Sequence, residues 1–296
     1  MFDLRYHVAS LAAVFFALVI GILVGVALAS HGLGNTERNR LERQIDVANA
    51  NLNAANDRLA QAKEENYADG EFVDKAYEAV MADRLQGRRI AVLFIGSVDG
   101  GLIKSINRTL TDAGAPQRLR LRAVTVPVDD KAIDGILDGR PKLAAYVGAD
   151  KLSDLGRELA SEFVLGGDTP LWDALQNQLV EERAGSKRRS ADGVVVVRTA
   201  QPQADGTAKF LNGLYSGLAE SGVPVVGAET SDAKPSAVPT FRRHLLSSVD
   251  DVDTPVGRVA LALVLGGAPG GSYGTKETAA DGALPQIMAV APVPGG

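Results

Sequence analysis

The chain contains no cysteine. That excludes a disulfide framework, a cysteine zinc site and a thiol nucleophile. It does not fix the compartment, because a cysteine-free chain is equally at ease in oxidising and reducing surroundings. Histidine and methionine are nearly as scarce, at three each, so soft-metal ligands are few. Charge of one sign does not dominate: 31 Lys and Arg stand against 36 Asp and Glu, a net of −5, and the basic residues are scattered rather than gathered into a stripe. Nucleic-acid binding is therefore excluded as a partner class. What remains is a chain of 296 residues, 46% hydrophobic and 23% charged, roughly two domains of about 150 residues each.

From Val8 to Ser30 the sequence runs 23 residues without a charge. At a rise of about 1.5 Å per residue this gives about 34 Å, enough for a hydrocarbon core of about 30 Å. The run predicts a membrane span at 8–30 within an N-terminal anchor at 1–35. Its length exceeds that of a signal-peptide apolar core, although Ala27-Leu28-Ala29 resembles a cleavage site and keeps that reading open. Small residues recur every four positions, at Ala9, Ala13, Ala17, Gly21, Gly25 and Ala29. The stretch Ala17, Gly21, Gly25, Ala29 would let a second span approach closely, although Ala and Gly are common in bilayer helices in any case. Arg38, Arg40 and Arg43 beyond the span against Arg5 before it place the body in the cytoplasm by the positive-inside rule.

Beyond a short turn at His31–Asn35, Leu41, Ile45, Ala48, Leu52, Ala55, Leu59 and Ala62 alternate steps of four and three. This is a heptad seam, with Ile45, Leu52 and Leu59 at a positions and Asn66 at a later a position, where a buried amide commonly fixes register. It predicts a coiled-coil stalk over 36–82, on the order of 70 Å if continuous. The pattern also suits a helix folded back on its own globular domain.

From 88 to 266, short apolar runs alternate with helical stretches. Strands are expected at Arg89–Ile95, Leu119–Val126, Ala144–Val147, Val194–Arg198 and Val223–Val226. Helices are expected at Leu102–Ala113, Lys151–Leu165, Pro170–Glu182, Ala208–Glu220 and Thr254–Leu265. The alternation predicts an α/β fold, a Rossmann-like parallel sheet covered by helices on both faces. Residues 267–296, rich in Gly, Ala and Pro, are expected to be a flexible tail.

Few segments carry chemistry. Ile95-Gly96-Ser97-Val98-Asp99-Gly100-Gly101 sits where a phosphate loop would lie, but its glycines fit neither dinucleotide nor Walker spacing. Ser97 lacks a nucleophile elbow, and His244, beside Arg242 and Arg243, suits a solvated surface residue. Asp250-Asp251-Val252-Asp253 lacks the glycine and distal Glu of a calcium loop and fits an acidic helix entrance. No catalytic residue or bound cofactor is assigned. Met1, Met81, Met288, His7, His31 and His244 are too dispersed to form a local copper site.

The run Leu4-Arg5-Tyr6-His7-Val8-Ala9-Ser10 through Ala17-Leu18, followed by Gly21-Ile22-Leu23-Val24-Gly25, resembles the N-terminal signature of the actinobacterial MctB-like family, the mycobacterial copper transport protein B group. The likeness continues in the Ala-rich coil, in Val249-Asp250-Asp251-Val252-Asp253-Thr254 leading to Gly257-Arg258-Val259-Ala260-Leu261, and in Tyr273-Gly274-Thr275-Lys276 ahead of Leu284-Pro285. The resemblance implies a non-enzymatic protein of the cell envelope, anchored at its N-terminus with the body outside the cytoplasm. That placement opposes the charge count and is preferred to it. It further implies a role in copper efflux or homeostasis, with copper ion as a transported or sensed species, and a family sometimes described as an outer-membrane channel. A channel needs several helices or a closed barrel, whereas this chain shows one span and one alternating stretch, Leu119–Val126, with Arg120 and Arg122 on its polar face. The competing expectation is a dimerising scaffold or receptor. It would form a homodimer or higher homo-oligomer through span and coil and engage cell-wall or division proteins.

Overall fold

A computed structural model of the chain describes residues 4–29, 34–116 and 118–288. It divides into two compact units, Met1–Gly70 and Glu71–Gly296.

The first unit holds helix α1, Leu4–Leu28, and most of helix α2, Gly34–Met81. Within α1, Val8–Leu28 is long and apolar enough to cross a bilayer, and its side chains point outward all round. A helix apolar on every side has no aqueous face and is at home only in a core or a membrane. Ala17, Gly21, Gly25 and Ala29 are all exposed, and among the described residues nothing beyond the chain neighbours and the local helix backbone lies within 4 Å of a Cβ built on Gly21 or Gly25. Helix α2 is unbroken for 48 residues and begins at Gly34, inside the expected turn; His31 and Ser30 lie outside the described residues. Leu41, Ile45, Leu52 and Leu59 are each more than half exposed, and Asn66 is exposed as well. The polar sides are laced by Arg38–Glu42 and Gln61–Glu65 one turn apart.

The second unit is a seven-stranded sheet in the order β3-β2-β1-β4-β5-β6-β7. The strands are β1 Ile90–Ile95, β2 Arg120–Val124, β3 Val180–Gly185, β4 Gly193–Arg198, β5 Val225–Ala228, β6 Ser247–Val249 and β7 Ser272–Tyr273. All neighbours run parallel except β3, which is antiparallel to β2. The central strands read IAVLFI and VVVV because both faces are buried. Ala91, Leu93, Ile95, Val194 and Val196 face one core. It is closed by α4 Asp130–Asp138, α5 Leu152–Leu165, α6 Pro170–Ala174, α7 Asp205–Ala219 and α8 Val238–Arg243. Val92, Phe94, Val195 and Val197 face the other, under α3 Gly100–Asp112 and α9 Pro255–Leu265.

Several expectations are corrected. Ala144–Val147 is no strand: Ala144–Tyr146 form one 3-10 turn, because the outer edge of β2 is already taken by β3. The helix expected over Pro170–Glu182 stops at Ala174, and Val180–Gly185 completes the ladder of β2 instead. The strand expected at Val223–Val226 lies two residues later, after Pro224, which cannot donate to a ladder. Arg120 and Arg122 do not form a solvated polar face; both are buried, with Arg122 Nη1 donating to the Leu121 and Ala184 carbonyls. Helix α4 was not expected, although Asp129 caps it by accepting from Ala132 N at 3.0 Å and Ile133 and Leu137 fill its buried side.

The tail is corrected through residue 288. Ser272–Tyr273 extends the sheet as β7, and Asp250 Oδ1 accepts from Thr275 N at 3.0 Å while its Oδ2 accepts from Thr278 Oγ1 at 2.7 Å. A buried carboxylate supplies what the tail's composition hides: fixed acceptors for its backbone donors. Residues 289–296 lie outside the described residues.

Candidate functional site

Connections leave β1 toward β2 on one side and cross to β4 on the other. The two exit loops therefore part, and a crevice opens beyond the carboxyl ends of the strands. Its floor depends on Gly96, whose φ of +100° is closed to most side chains. A Cβ there would sit 2.7 Å from Thr199 Oγ1 and 2.9 Å from Ala200 N. Only glycine lets the end of β1 lie against the end of β4. Thr199 Oγ1 joins the loops by donating to the Ser97 carbonyl at 2.7 Å.

Helix α3 enters the crevice with its N-terminus already occupied: Asp99 Oδ1 accepts from Leu102 N at 2.7 Å. The carboxylate thus takes one of the backbone donors that such a helix start offers to an anion. The resulting cleft holds about 650 Å³. Arg198 comes from the last position of β4, its Nη1 donating to Thr240 Oγ1 at 3.1 Å and its Nη2 to the Ser236 carbonyl at 3.1 Å. Lys234 and Asp232 come from the loop after β5, with Asp232 Oδ1 accepting from Thr230 Oγ1 at 2.7 Å. Asp253 receives Ser231 N on Oδ1 and Ser231 Oγ on Oδ2, both at 2.7 Å. Burial pushes the Asp253 carboxyl up, but these Ser231 bonds outweigh it and hold it below the usual range. Behind this wall Glu229 is buried, accepting from Ser236 Oγ at 2.7 Å, Ala237 N at 2.6 Å and Lys276 Nζ at 2.9 Å. The tail thus braces the loop that carries Asp232 and Lys234.

Ser97 and His244 are not brought together. His244 Nε2 pairs with Asn212 Oδ1 at 3.1 Å, and its ring lies 5.2 Å from that of Tyr215. It is half-buried rather than solvated, and burial, reinforced by Arg243, pulls its pKa down. Asp250 and Asp251 before α9 are buried; Thr254 caps α9 by accepting from Gly257 N at 3.0 Å, and burial raises the Asp251 carboxyl. Of the dispersed copper donors, Met81 is wholly buried in a core and Met288 is exposed. The side chain of His7, with Met1 and His31, lies outside the described residues. Among the described residues no three His, Cys, Asp or Glu side chains gather as a metal site.

Sequence reasoning reached Ser97–Gly101 but missed Arg198, Thr230, Asp232 and Lys234. The available signal was position: each ends or follows a strand in a parallel sheet, where ligands bind.

The curated relatives include the protein named Copper transporter MctB of Mycobacterium tuberculosis (strain H37Rv), 23% identical over 316 residues, covering 94% of this chain and 98% of the relative. The protein of the same name from Mycobacterium bovis is similar to the same degree. The family described as copper transport outer membrane protein, MctB, matches residues 1–284. With the apolar helix at one end and the α/β body at the other both inside that match, the chain belongs to the MctB family.

Proposed function

We propose that this chain is a single-pass cell-envelope protein, held by α1 with its Rossmann-like α/β unit outside the cytoplasm. It acts without catalysis in copper transport and copper homeostasis. The observation that carries this reading is the family match over residues 1–284, which includes the span-length helix Val8–Leu28. Copper ion is the transported or sensed species in this reading, as the family's description as a copper transport protein suggests. Deleting the protein should sensitise cells to copper and raise their copper content, measured by mass spectrometry of washed cells. Unchanged copper content in the deletion strain overturns the reading.

A second reading rests on α2, whose seam Leu41, Ile45, Leu52 and Leu59 is exposed throughout. In it the chain is a coiled-coil dimer, packed also through Gly21 and Gly25, that presents its α/β units to cell-wall or division proteins. Because the chain has no native cysteine, Leu52→Cys and Ala50→Cys are clean reporters. Disulfide-linked dimers through position 52 and none through position 50 support this reading; equal linking refutes the seam.

A further inference from the structure

The cleft at the carboxyl edge of the sheet carries two kinds of unspent capacity. Arg198 and Lys234 both line it, and neither forms an ion pair with a carboxylate among the described residues. A partly buried guanidinium without a counter-ion is a ready seat for a carboxylate or phosphate. Arg198 is held in place by Thr240 Oγ1 and the Ser236 carbonyl, so little ordering is left for binding to pay.

The acidic side chains act in the other sense. Asp99, Asp232 and Asp253 each receive protein donors, yet an ionised carboxylate offers about four acceptor positions. One or two are used on each. What remains suits incoming hydroxyl groups, which donate to carboxylates without bringing a like charge. Ser105, Thr199 and Gln201 add neutral partners, while Leu102, Ala200 and Pro235 add an apolar surface. The space, about 650 Å³, falls in the range of roughly 300–1,000 Å³ used by small-molecule sites.

We propose that this cleft binds an acidic sugar: a small, hydroxyl-rich molecule with one carboxylate or phosphate. The anionic group lies on Arg198 and Lys234, and the hydroxyls lie on the Asp99, Asp232 and Asp253 carboxylates. A polyanion such as a nucleoside triphosphate is excluded, because three carboxylates and the Asp99-capped α3 terminus would face its added charge. The assignment stands independently of the copper reading, since none of its contacts involves a metal.

The test is calorimetry and thermal unfolding of the full-length chain in detergent micelles, with glucuronate, glucose 6-phosphate, glucose and inorganic phosphate as probes. Glucuronate or glucose 6-phosphate should bind with a Kd below about 1 mM, and glucose and phosphate at least about tenfold more weakly, about 1.4 kcal/mol. Which acidic sugar binds tighter assigns the anion as carboxylate or phosphate. Lys234→Ala, which removes an exposed side chain that makes no hydrogen bond among the described residues, should weaken that sugar by about five- to tenfold. Arg198→Gln should weaken it further. Absence of binding by both acidic sugars overturns the proposal. So does equal affinity for glucose, equal affinity for inorganic phosphate, or a Lys234→Ala protein that binds as the parent does.

Discussion

Gly213→Ala should destabilise the α/β unit even though alanine is the better helix former. Helices α5 and α7 cross at backbone contact: a Cβ on Gly213 would sit 1.9 Å from the Ser153 carbonyl oxygen and 2.7 Å from its carbon. The reciprocal positions are as tight, with Gly156 facing the Phe210 carbonyl at 2.2 Å and Gly217 the Arg157 carbonyl at 2.7 Å. No rotamer relieves these approaches, because the obstructing atoms are main chain. Overpacking costs about 1–3 kcal/mol, and backbone against backbone belongs at the upper end. The helix-propensity gain of about 0.8–1.0 kcal/mol offsets part of it. The net is about 2 kcal/mol of destabilisation, or a Tm lower by about 4–8 °C for a unit of this size. Gly135→Ala in α4 is the control: nothing lies within 4 Å of its added Cβ, so it should gain about 0.5–1 kcal/mol. The readout is intrinsic, because Trp172 is the sole tryptophan. It is 2% exposed, and its indole N–H donates to the Leu159 carbonyl at 2.8 Å. Its fluorescence therefore reports α6 leaving α5. If Gly213→Ala melts at or above the Gly135→Ala protein, the α5–α7 crossing is not the close backbone contact described.

Asp250→Ala should free the tail from its acceptors on Asp250, costing about 2–3 kcal/mol for buried donors left unpaired; faster proteolytic cleavage between 274 and 288 checks it, and parental resistance refutes it. Arg120 is buried with Nε and Nη2 unpartnered among the described residues, and burial followed by Arg89 lowers its pKa. Arg120→Met should accordingly be neutral or stabilising in urea denaturation, as replacement of buried charges often is. A loss above about 2 kcal/mol would show that the guanidinium is satisfied in a way this structure does not display. For acid stability, Asp192 lies below its usual range chiefly through the Arg89 side-chain bond, 2.8 Å from Nε to Oδ2. Its contribution is present above the unfolded value of about 3.9 and lost as pH falls through the folded one. Asp192→Asn should thus lower stability at pH 7 by at most about 1 kcal/mol, since the pair is about one-third exposed. Urea titrations of the two proteins should converge once the pH has fallen through the folded value of Asp192; a gap that persists beyond it contradicts the assignment.

The apolar run Val8–Leu28, the unbroken helix over the heptad residues and the β-branched core strands were legible because each is a local pattern. Period, length and freedom from charge act on a segment whatever surrounds it. The same holds for the family likeness, carried by motifs in order along the chain. Where one segment's fate hangs on another, local pattern misleads. Val180–Glu182 reads as the end of a helix until the open ladder of β2 claims it. Arg120 and Arg122 read as solvent-facing until β3 and its flanking loop cover them. The tail reads as loose until Asp250, 25 residues upstream of Thr275, supplies its acceptors. The cleft belongs mostly to this second kind: Asp99 and Asp253 fall in segments the sequence singles out for other reasons, while Arg198 and Asp232 are ordinary strand-end and loop residues in sequence. They meet because parallel strands bring their carboxyl ends to one edge and the order reverses between β1 and β4. Side-chain periodicity is a property of one segment, whereas hydrogen-bond satisfaction and charge pairing are properties of neighbours, and neighbours far apart in sequence exist only once the chain has folded.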